Sequence, residues 1–264
     1  MKIKILFILV IVFIGFFKGS LPDGYGKNDD WKEYRSYHFI IYYKDAPQDF
    51  IKSVEDTAET YYQEITRNLG FYRDQSWSWD KRAKIYIYRD AEDYVESAKQ
   101  ASWSHGAASA LEKEIRTFPA ANGFFDSILP HELGHIIFRE FIGSNPYVPA
   151  WFDEGVAMYQ EKAKRWGVNK SVKKAIDEGN FMPLRELSSV RLYHDSDKNF
   201  VELFYAEAAS IVYYLITELG EFKFVEFCKQ LKAGSRFENA ISSTYIRFKN
   251  LDDLNTAWVD YLKR

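Results

Sequence analysis

Cysteine is nearly absent from this chain. Cys228 is the only cysteine among 264 residues, so the protein cannot form an internal disulfide bond. A single cysteine in an apolar stretch, such as the one around Phe227, is typical of a small buried residue. The absence of cysteine near the N-terminus also excludes a lipid anchor attached to a leader cysteine. The sequence therefore indicates a fold that is held together by packing.

An excess of charge of one sign is also missing. The chain has 35 basic and 38 acidic residues and a net charge of -3. Because the two signs are mixed, there is no electrostatic argument for a nucleic-acid partner, and we expect none. With 47% hydrophobic and 28% charged residues the composition is that of a globular protein. The length allows one large core or two smaller lobes.

The N-terminus begins with two lysines within residues 1–4, which an apolar run over 5–17 follows. This run fits a signal peptide and is shorter than the ~20 residues of a membrane-spanning helix. Residues 17–20 lack two small residues at the spacing of a cleavage site. We therefore predict that residues 1–20 form a signal peptide or an N-terminal membrane anchor, with attachment through residues 1–17. The protein is expected to be exported to the periplasm, the cell envelope or the exterior.

Strand patterns precede helix patterns along the rest of the chain. Residues 21–30, rich in Gly, Pro, Asn and Asp, predict a flexible spacer. Periodicity predicts strands at 37–43, 84–88, 105–110 and 114–118, helices at 50–69 and 90–100, and then only helices, at 124–141, 149–164, 171–178, 200–219, 222–231 and 251–262. This order predicts an α+β fold. An N-terminal α/β lobe over 31–123, a helical lobe over 124–264 and an active-site cleft between them are expected.

The segment His131-Glu132-Leu133-Gly134-His135 carries the chemistry. Two histidines four residues apart project from the same face of a helix, so their imidazoles can hold one Zn²⁺ ion. Glu132 between them can act as general base on a metal-bound water. The apolar residues of this helix are Ile128, Leu129, Leu133, Ile136, Ile137 and Phe138. Because burying polar groups without partners costs several kcal/mol, we predict a metal ion and metal-assisted hydrolysis, most naturally of a peptide bond.

A third ligand is needed, because a catalytic zinc takes three protein ligands and leaves one position for water. Glu154 lies nineteen residues after His135 in an apolar helical context and is predicted to be that ligand. The neighbouring Asp153 is interpreted as a solvated helix-start charge or as a group that orients an imidazole. Gly134 inside the first helix costs ~1 kcal/mol relative to Ala, which is tolerable if another element approaches closely there.

His131-Glu132-x-x-His135 followed by Glu154 in Trp-Phe-Asp-Glu-Gly-x-Ala resembles the gluzincin metallopeptidases. More closely, it resembles the peptidase MA-like proteins, which are related to the aminopeptidase N branch. The resemblance implies a zincin-like metallopeptidase fold and a peptide or protein substrate. It also implies zinc ligands at His131, His135 and Glu154, with Glu132 as the catalytic base.

The resemblance also implies a role for Tyr205. In relatives of aminopeptidase N, a Tyr in the pattern Tyr-x-Lys-Gly on a later helix donates its hydroxyl to the oxyanion, which is sound chemistry beside a metal. Tyr205 occupies the equivalent place in this chain, with Glu207 and Ala208 where the family has Lys and Gly. Tyr205 is therefore either catalytic or a structural aromatic beneath the metal helix.

Residues 117–123 depart from the aminopeptidase pattern, because they contain no carboxylate to bind the free amine of a substrate. Endopeptidase cleavage is therefore favoured. Asp126 is interpreted as a helix cap or as a group that orients a ligand imidazole. His194, in a polar loop, is a candidate acid or transition-state donor. The strand at 114–118 is expected to be the edge strand that pairs with an extended substrate.

Three alternatives to peptidase activity stay open. The first is a zinc-binding pseudoenzyme, against which the presence of Glu132 weighs because a structural site needs no base. The second is a membrane-anchored module for binding or assembly in the cell envelope, without catalysis. The third is hydrolysis of another amide or ester by the same ligands. The sequence predicts no particular oligomeric state.

Overall fold

The computed structural model describes residues 31–71, 77, 81–98, 107–109, 112–119, 121, 123–161, 167–192 and 196–264. The predicted leader and spacer and His194 lie outside these residues. The described chain divides into two compact units. The first, here called the sheet unit, belongs to Met1–Thr60 and Ser76–Leu129, and the second, the helical unit, to Tyr61–Gln75 and Pro130–Arg264. Packing thus groups Tyr61–Gln75 with the later helices, which the order of elements along the chain did not predict.

A five-stranded sheet forms the centre of the sheet unit. Its strands are β1 (Lys32–Arg35), β2 (Phe39–Tyr43), β3 (Ala83–Ile87), β4 (Ala107–Ser109) and β5 (Glu114–Thr117), in the order β1-β2-β3-β5-β4. The three inner strands are parallel, and β1 and β4 pair antiparallel at the two edges. Ile41, Ile85 and Ile115 lie opposite one another and are fully buried, so one face of the sheet carries the core.

Helix α1 (Gln48–Asn68) follows β2, and α2 (Ala91–Ala98) follows β3. At the turn between β1 and β2, the Ser36 hydroxyl and the His38 backbone N–H donate to Glu59 Oε1 of α1, at 2.6 and 2.8 Å. His38 Nδ1 lies 2.6 Å from Glu59 Oε2. One carboxylate therefore ties the helix to the turn, which accounts for the burial of His38 without a functional role.

The helical unit is built from eight helices in its described part. They are α3 (Leu129–Ile142), α4 (Ala150–Gln160), α5 (Val168–Glu178), α6 (Leu184–Leu187), α7 (Lys198–Tyr213), α8 (Glu221–Lys232), α9 (Phe237–Thr244) and α10 (Leu251–Lys263). A π-helical turn, Phe124–Ile128, leads into α3, and a second one, Tyr214–Glu218, continues α7. Helix α7 lies against α4 and α5.

Two glycines allow the central helices to approach backbone to backbone. A Cβ atom at Gly134 of α3 would lie 2.9 Å from the Cα atom of Ala157 in α4. A Cβ atom at Gly155 of α4 would lie only 2.3 Å from the carbonyl oxygen of Ala208 in α7. Neither distance is compatible with a side chain. The close approach predicted at Gly134 is confirmed, and these contacts set the spacing of the helices that carry the candidate site.

Helix α7 with its π-helical continuation, Lys198–Glu218, is long and apolar enough to cross a membrane. However, 72% of its most apolar 18-residue window is buried inside the fold. Every residue from Phe204 to Val212 is buried. The apolarity of this helix is therefore explained by its packing inside the helical unit.

The predicted α+β class is confirmed, but some elements differ from prediction. Strand β1 was missed because its sequence, Lys-Glu-Tyr-Arg, is polar on both faces, as an edge strand can be. Helix α9 was also missed. The prediction that residues 114–118 form an edge strand is wrong, because β5 pairs with β3 on one side and β4 on the other. The chain turns back after β4 through Lys113, whose φ is 54°, and this tight turn places β4 outside β5.

Candidate metal centre

His131 and His135 occupy the same face of α3, as their four-residue spacing requires. Both side chains are buried, with 2% and 4% of their surface exposed. Their Nε2 atoms lie 3.1 Å apart. Helix geometry alone therefore brings two nitrogen ligands to one point.

Glu154 joins the two imidazoles from α4. Its Oε2 atom lies 3.5 Å from His131 Nε2 and 3.6 Å from His135 Nε2. Around a tetrahedral zinc with bonds of about 2.0–2.2 Å, ligand atoms lie about 3.3–3.6 Å apart. The three atoms thus form a triangle of the size that one metal ion requires. This buried group could hold a metal ion, as the sequence predicted.

The outer nitrogen of each imidazole faces a buried carboxylate. His131 Nδ1 lies 2.9 Å from Glu161 Oε1, and His135 Nδ1 lies 3.2 Å from Asp153 Oδ1. Because an ionised carboxylate can only accept a hydrogen bond, each Nδ1 carries a proton and donates it. The lone pairs of both Nε2 atoms then point to the same place. Such an arrangement calls for a cation between them.

Asp153 is itself bound by an arginine. Arg139 Nε donates a hydrogen bond to Asp153 Oδ2 at 2.8 Å, and a terminal nitrogen of the guanidinium forms an ion pair with the same oxygen at 2.7 Å. Burial by itself would raise the pKa of Asp153, but the positive charges of His135 and Arg139 outweigh it and lower that pKa. Asp153 is therefore ionised at neutral pH and able to accept the His135 proton.

The carboxylates also control the charge of the imidazoles. Burial would lower the pKa of His131, but hydrogen bonds to Glu154 and Glu161 raise it to about 9. Burial likewise opposes the charged form of His135, and the charges of Asp153 and Glu154 raise its pKa well above the ordinary value. Without a metal the site thus draws protons onto its imidazoles, and a divalent cation would have to displace them.

Glu132 lies on α3 between His131 and His135. Its side chain is 0% exposed, and no described residue donates a hydrogen bond to either carboxylate oxygen. Burial raises its pKa from the ordinary value. A carboxylate of this kind is well suited to exchange a proton near neutral pH.

Tyr205 comes to the same place from α7. It precedes Ala208, the residue that packs against Gly155, by three positions and so lies on the same face of its helix. Burial raises the pKa of its phenol, and the negative charges of Glu154 and Glu132 raise it further. The hydroxyl therefore stays protonated at neutral pH and available as a donor.

No described contact joins Asp126 to this group. Asp126 is exposed in the π-helical turn before α3, and the N-cap position of that turn is held by Gly123. Asp126 is therefore not the capping residue, and its predicted contact with an imidazole stays a prediction. His194 lies outside the described residues.

Glu161 and Arg139 were missed, although each had a sequence signal. Glu161 follows Glu154 by seven residues, which is close to two helical turns. Arg139 follows His135 by four residues, about one turn. The same spacing rule that selected the histidine pair thus places both residues on the side of the helix that faces the site.

Comparison with known proteins gives one family. The model of the Peptidase MA superfamily matches residues 71–264, more than half of the chain. The matched range contains every residue of the site described above. A search of curated proteins finds no match.

Proposed function

Because the chain belongs to the Peptidase MA superfamily, we propose that it is a zinc-dependent peptidase of the gluzincin branch that cleaves internal peptide bonds. The observation that carries the proposal is the burial of the Glu132 carboxylate beside His131 and His135. A structural metal site needs ligands, but it does not need a fully buried carboxylate beside them whose two oxygens accept no hydrogen bond from the described residues. A general base needs such a group.

His131, His135 and Glu154 would hold the metal. Two neutral imidazoles and one carboxylate are a ligand set that suits zinc and leaves a position open. When bound, zinc supplies a Lewis acid that polarises the scissile carbonyl and makes water a better nucleophile at neutral pH. Glu161 and Asp153 keep the two imidazoles in the tautomer and orientation that this binding requires.

Glu132 accepts the proton of the attacking water and passes it to the amine that leaves. Its raised pKa favours both transfers, because a base works best when its pKa is near the working pH. The Tyr205 hydroxyl donates a hydrogen bond to the oxygen of the former carbonyl as negative charge develops there. Its raised pKa keeps the proton on the phenol throughout.

Internal cleavage is favoured by the stretch after β5. An aminopeptidase binds the free amine of its substrate with a carboxylate, and residues 117–123 have none. A peptide bound without that contact is not held by its N-terminus. The substrate class that fits this chain is therefore a peptide or protein cut within its sequence.

The test is digestion of a peptide library by the full-length, zinc-loaded protein, compared with Glu132→Gln. The wild type should cleave internal bonds, and the variant should lose about 10²–10⁴-fold of that rate with its zinc content unchanged. Glu226→Gln, a partly exposed glutamate of α8, is the matched control and should retain full activity. Zinc in both proteins with cleavage by neither would leave a metal-binding pseudoenzyme. Absence of zinc from the wild type would contradict the site itself, and trimming from the N-terminus alone would contradict internal cleavage.

A further inference from the structure

Asp153 bridges a ligand imidazole and a guanidinium. Its Oδ1 atom lies 3.2 Å from His135 Nδ1, while Oδ2 accepts a hydrogen bond from Arg139 Nε at 2.8 Å and lies 2.7 Å from a terminal nitrogen of the same guanidinium. Both arginine nitrogens approach one oxygen, so the other oxygen is left for the imidazole. The side chain of Asp153 is almost completely buried, which makes these contacts strong.

The bridge joins the two helices that carry the metal ligands. Arg139 lies about one turn after His135 on α3, and Asp153 directly precedes Glu154 on α4. The guanidinium therefore reaches from the helix of the histidine pair to the residue next to the third ligand. A contact in this position can fix the orientation of the imidazole and the register of the helices at once.

We propose that Arg139 is a positioning residue for the metal centre, acting through Asp153 on His135. The proposal rests on the proposed function, because it requires that the site binds zinc. Arg139 holds the Asp153 carboxylate with Oδ1 towards His135 Nδ1. That hydrogen bond keeps the proton on Nδ1 and directs the Nε2 lone pair to the metal. Without Arg139, Asp153 loses the donors that set its orientation, and His135 becomes a poorer ligand.

A purely structural ion pair is the competing explanation. Arg139 and Asp153 would then hold α3 against α4, and their removal would lower the free energy of unfolding without a specific effect on the metal. The two explanations differ in zinc affinity and in whether the effect of Arg139 depends on Asp153.

The experiment measures the Zn²⁺ dissociation constant of the full-length protein by competition with a chromogenic chelator. Asp153→Ala should weaken zinc binding about 10–100-fold, the range for groups that orient a metal-ligating histidine. Arg139→Leu should weaken it about 10-fold, and Arg139→Lys should recover part of this loss because an ammonium group can still donate to Oδ2. Arg139→Leu placed in the Asp153→Ala protein should cause no further weakening.

Arg185→Leu provides the matched control. Arg185 also pairs with carboxylates, those of Asp252 and Glu238, but on the protein surface. The Arg185→Leu substitution should leave the affinity for Zn²⁺ unchanged. Unfolding measured in EDTA separates loss of affinity from loss of fold, and if Arg139→Leu does not fold, Arg139→Lys and Asp153→Asn give the same comparison with smaller changes.

Zinc affinity that is unchanged in both Arg139 variants would overturn the inference. Equal weakening by Arg139→Leu with and without Asp153 would overturn it too, because the effect would not pass through Asp153. Either result would leave the proposed function intact. Failure of the wild type to bind zinc would overturn both proposals.

Discussion

Glu114 in the sheet unit and Glu132 in the helical unit are both buried carboxylates, 5% and 0% exposed, in opposite surroundings. Glu114 Oε1 lies 3.2 Å from Lys84 Nζ, and its Oε2 accepts a hydrogen bond from Arg116 at 2.9 Å. Glu132 accepts none from the part of the chain that the structure describes. A paired buried charge supports the fold, whereas an unpaired one costs free energy that the rest of the fold must offset. The unpaired carboxylate is therefore the one that indicates chemistry.

The histidines show the same difference. His38 of the sheet unit lies against Glu59, which also accepts hydrogen bonds from Ser36 and from the His38 backbone. His131 and His135 of the helical unit turn their Nε2 atoms towards each other. The first arrangement ties a turn to a helix. The second is costly unless a cation lies between the rings.

The largest expected effect comes from Gly155 of the helical unit, where α4 and α7 pack backbone to backbone. A Cβ atom there would lie 2.3 Å from the Ala208 carbonyl oxygen and 2.7 Å from Val212 Cγ2. Since backbone cannot turn aside as a side chain can, Gly155→Ala should lower the free energy of unfolding by about 3 kcal/mol or more. Urea unfolding in EDTA measures this.

Gly167→Ala is the control for that substitution. Gly167 has a φ of -104°, and a Cβ atom there would meet no atom of the described residues within 4 Å. The Gly167→Ala substitution should change the free energy of unfolding by less than about 1 kcal/mol. If Gly155→Ala were as mild as this control, α4 and α7 would not be in the close contact described.

Glu207 is another buried carboxylate of the helical unit, and its effect on stability should depend on pH. Its Oε1 accepts the Met182 N–H at 2.9 Å, its Oε2 has no partner among the described residues, and burial raises its pKa from 4.5 to about 8. Below pH 4.5 the group is protonated in both the folded and the unfolded chain, so it contributes no penalty. As the pH rises towards 8, the unfolded chain ionises first, and the folded state loses stability relative to it.

Glu207→Gln keeps the acceptor for Met182 and removes the charge. It should therefore stabilise the protein by about 2–4 kcal/mol at pH 8 and by much less at pH 5. The measurement is the difference in urea unfolding between variant and wild type at the two pH values, in EDTA. Glu202→Gln, on a partly exposed side chain of the same helix, controls for the change in net charge. A difference that did not grow with pH would contradict this account of Glu207.

The smallest expected effects come from the same substitution at Glu114 and at Glu132, the paired and the unpaired carboxylate of the described residues. Glu114→Gln removes the charge that Arg116 and Lys84 require, so it should destabilise the protein by about 1–2 kcal/mol. Glu132→Gln removes a charge that has no hydrogen-bond partner in the described part of the chain, so in EDTA it should leave the stability unchanged or raise it by up to about 1 kcal/mol. Thermal unfolding of the two variants side by side measures both. Destabilisation by Glu132→Gln equal to that by Glu114→Gln would show that Glu132 has a structural role.

Local periodicity accounted for most of the helices and inner strands. The buried inner strands alternate or run continuously apolar, α1 and α10 have apolar stripes, and α7 is apolar over most of its length, so their positions could be predicted to within a few residues. Strand β1 could not, because a polar edge strand looks like a loop until its partner is known. The position of β5 inside the sheet depended on its pairing with β4, because a strand at 105–110 could be predicted from the sequence but its partner could not.

The sequence by itself predicted that His131 and His135 share one face of a helix, because helical spacing dictates which side chains lie together. It also singled out Glu154 as the third member of a group that could hold a metal ion, and it predicted the α+β fold. Only the tertiary structure decided which carboxylates are satisfied. That Glu114 is paired, that Glu132 has no hydrogen-bond partner among the residues described, and that Arg139 reaches Asp153 all depend on how separate elements pack. Contacts between elements far apart in the chain follow from packing, which no local period encodes.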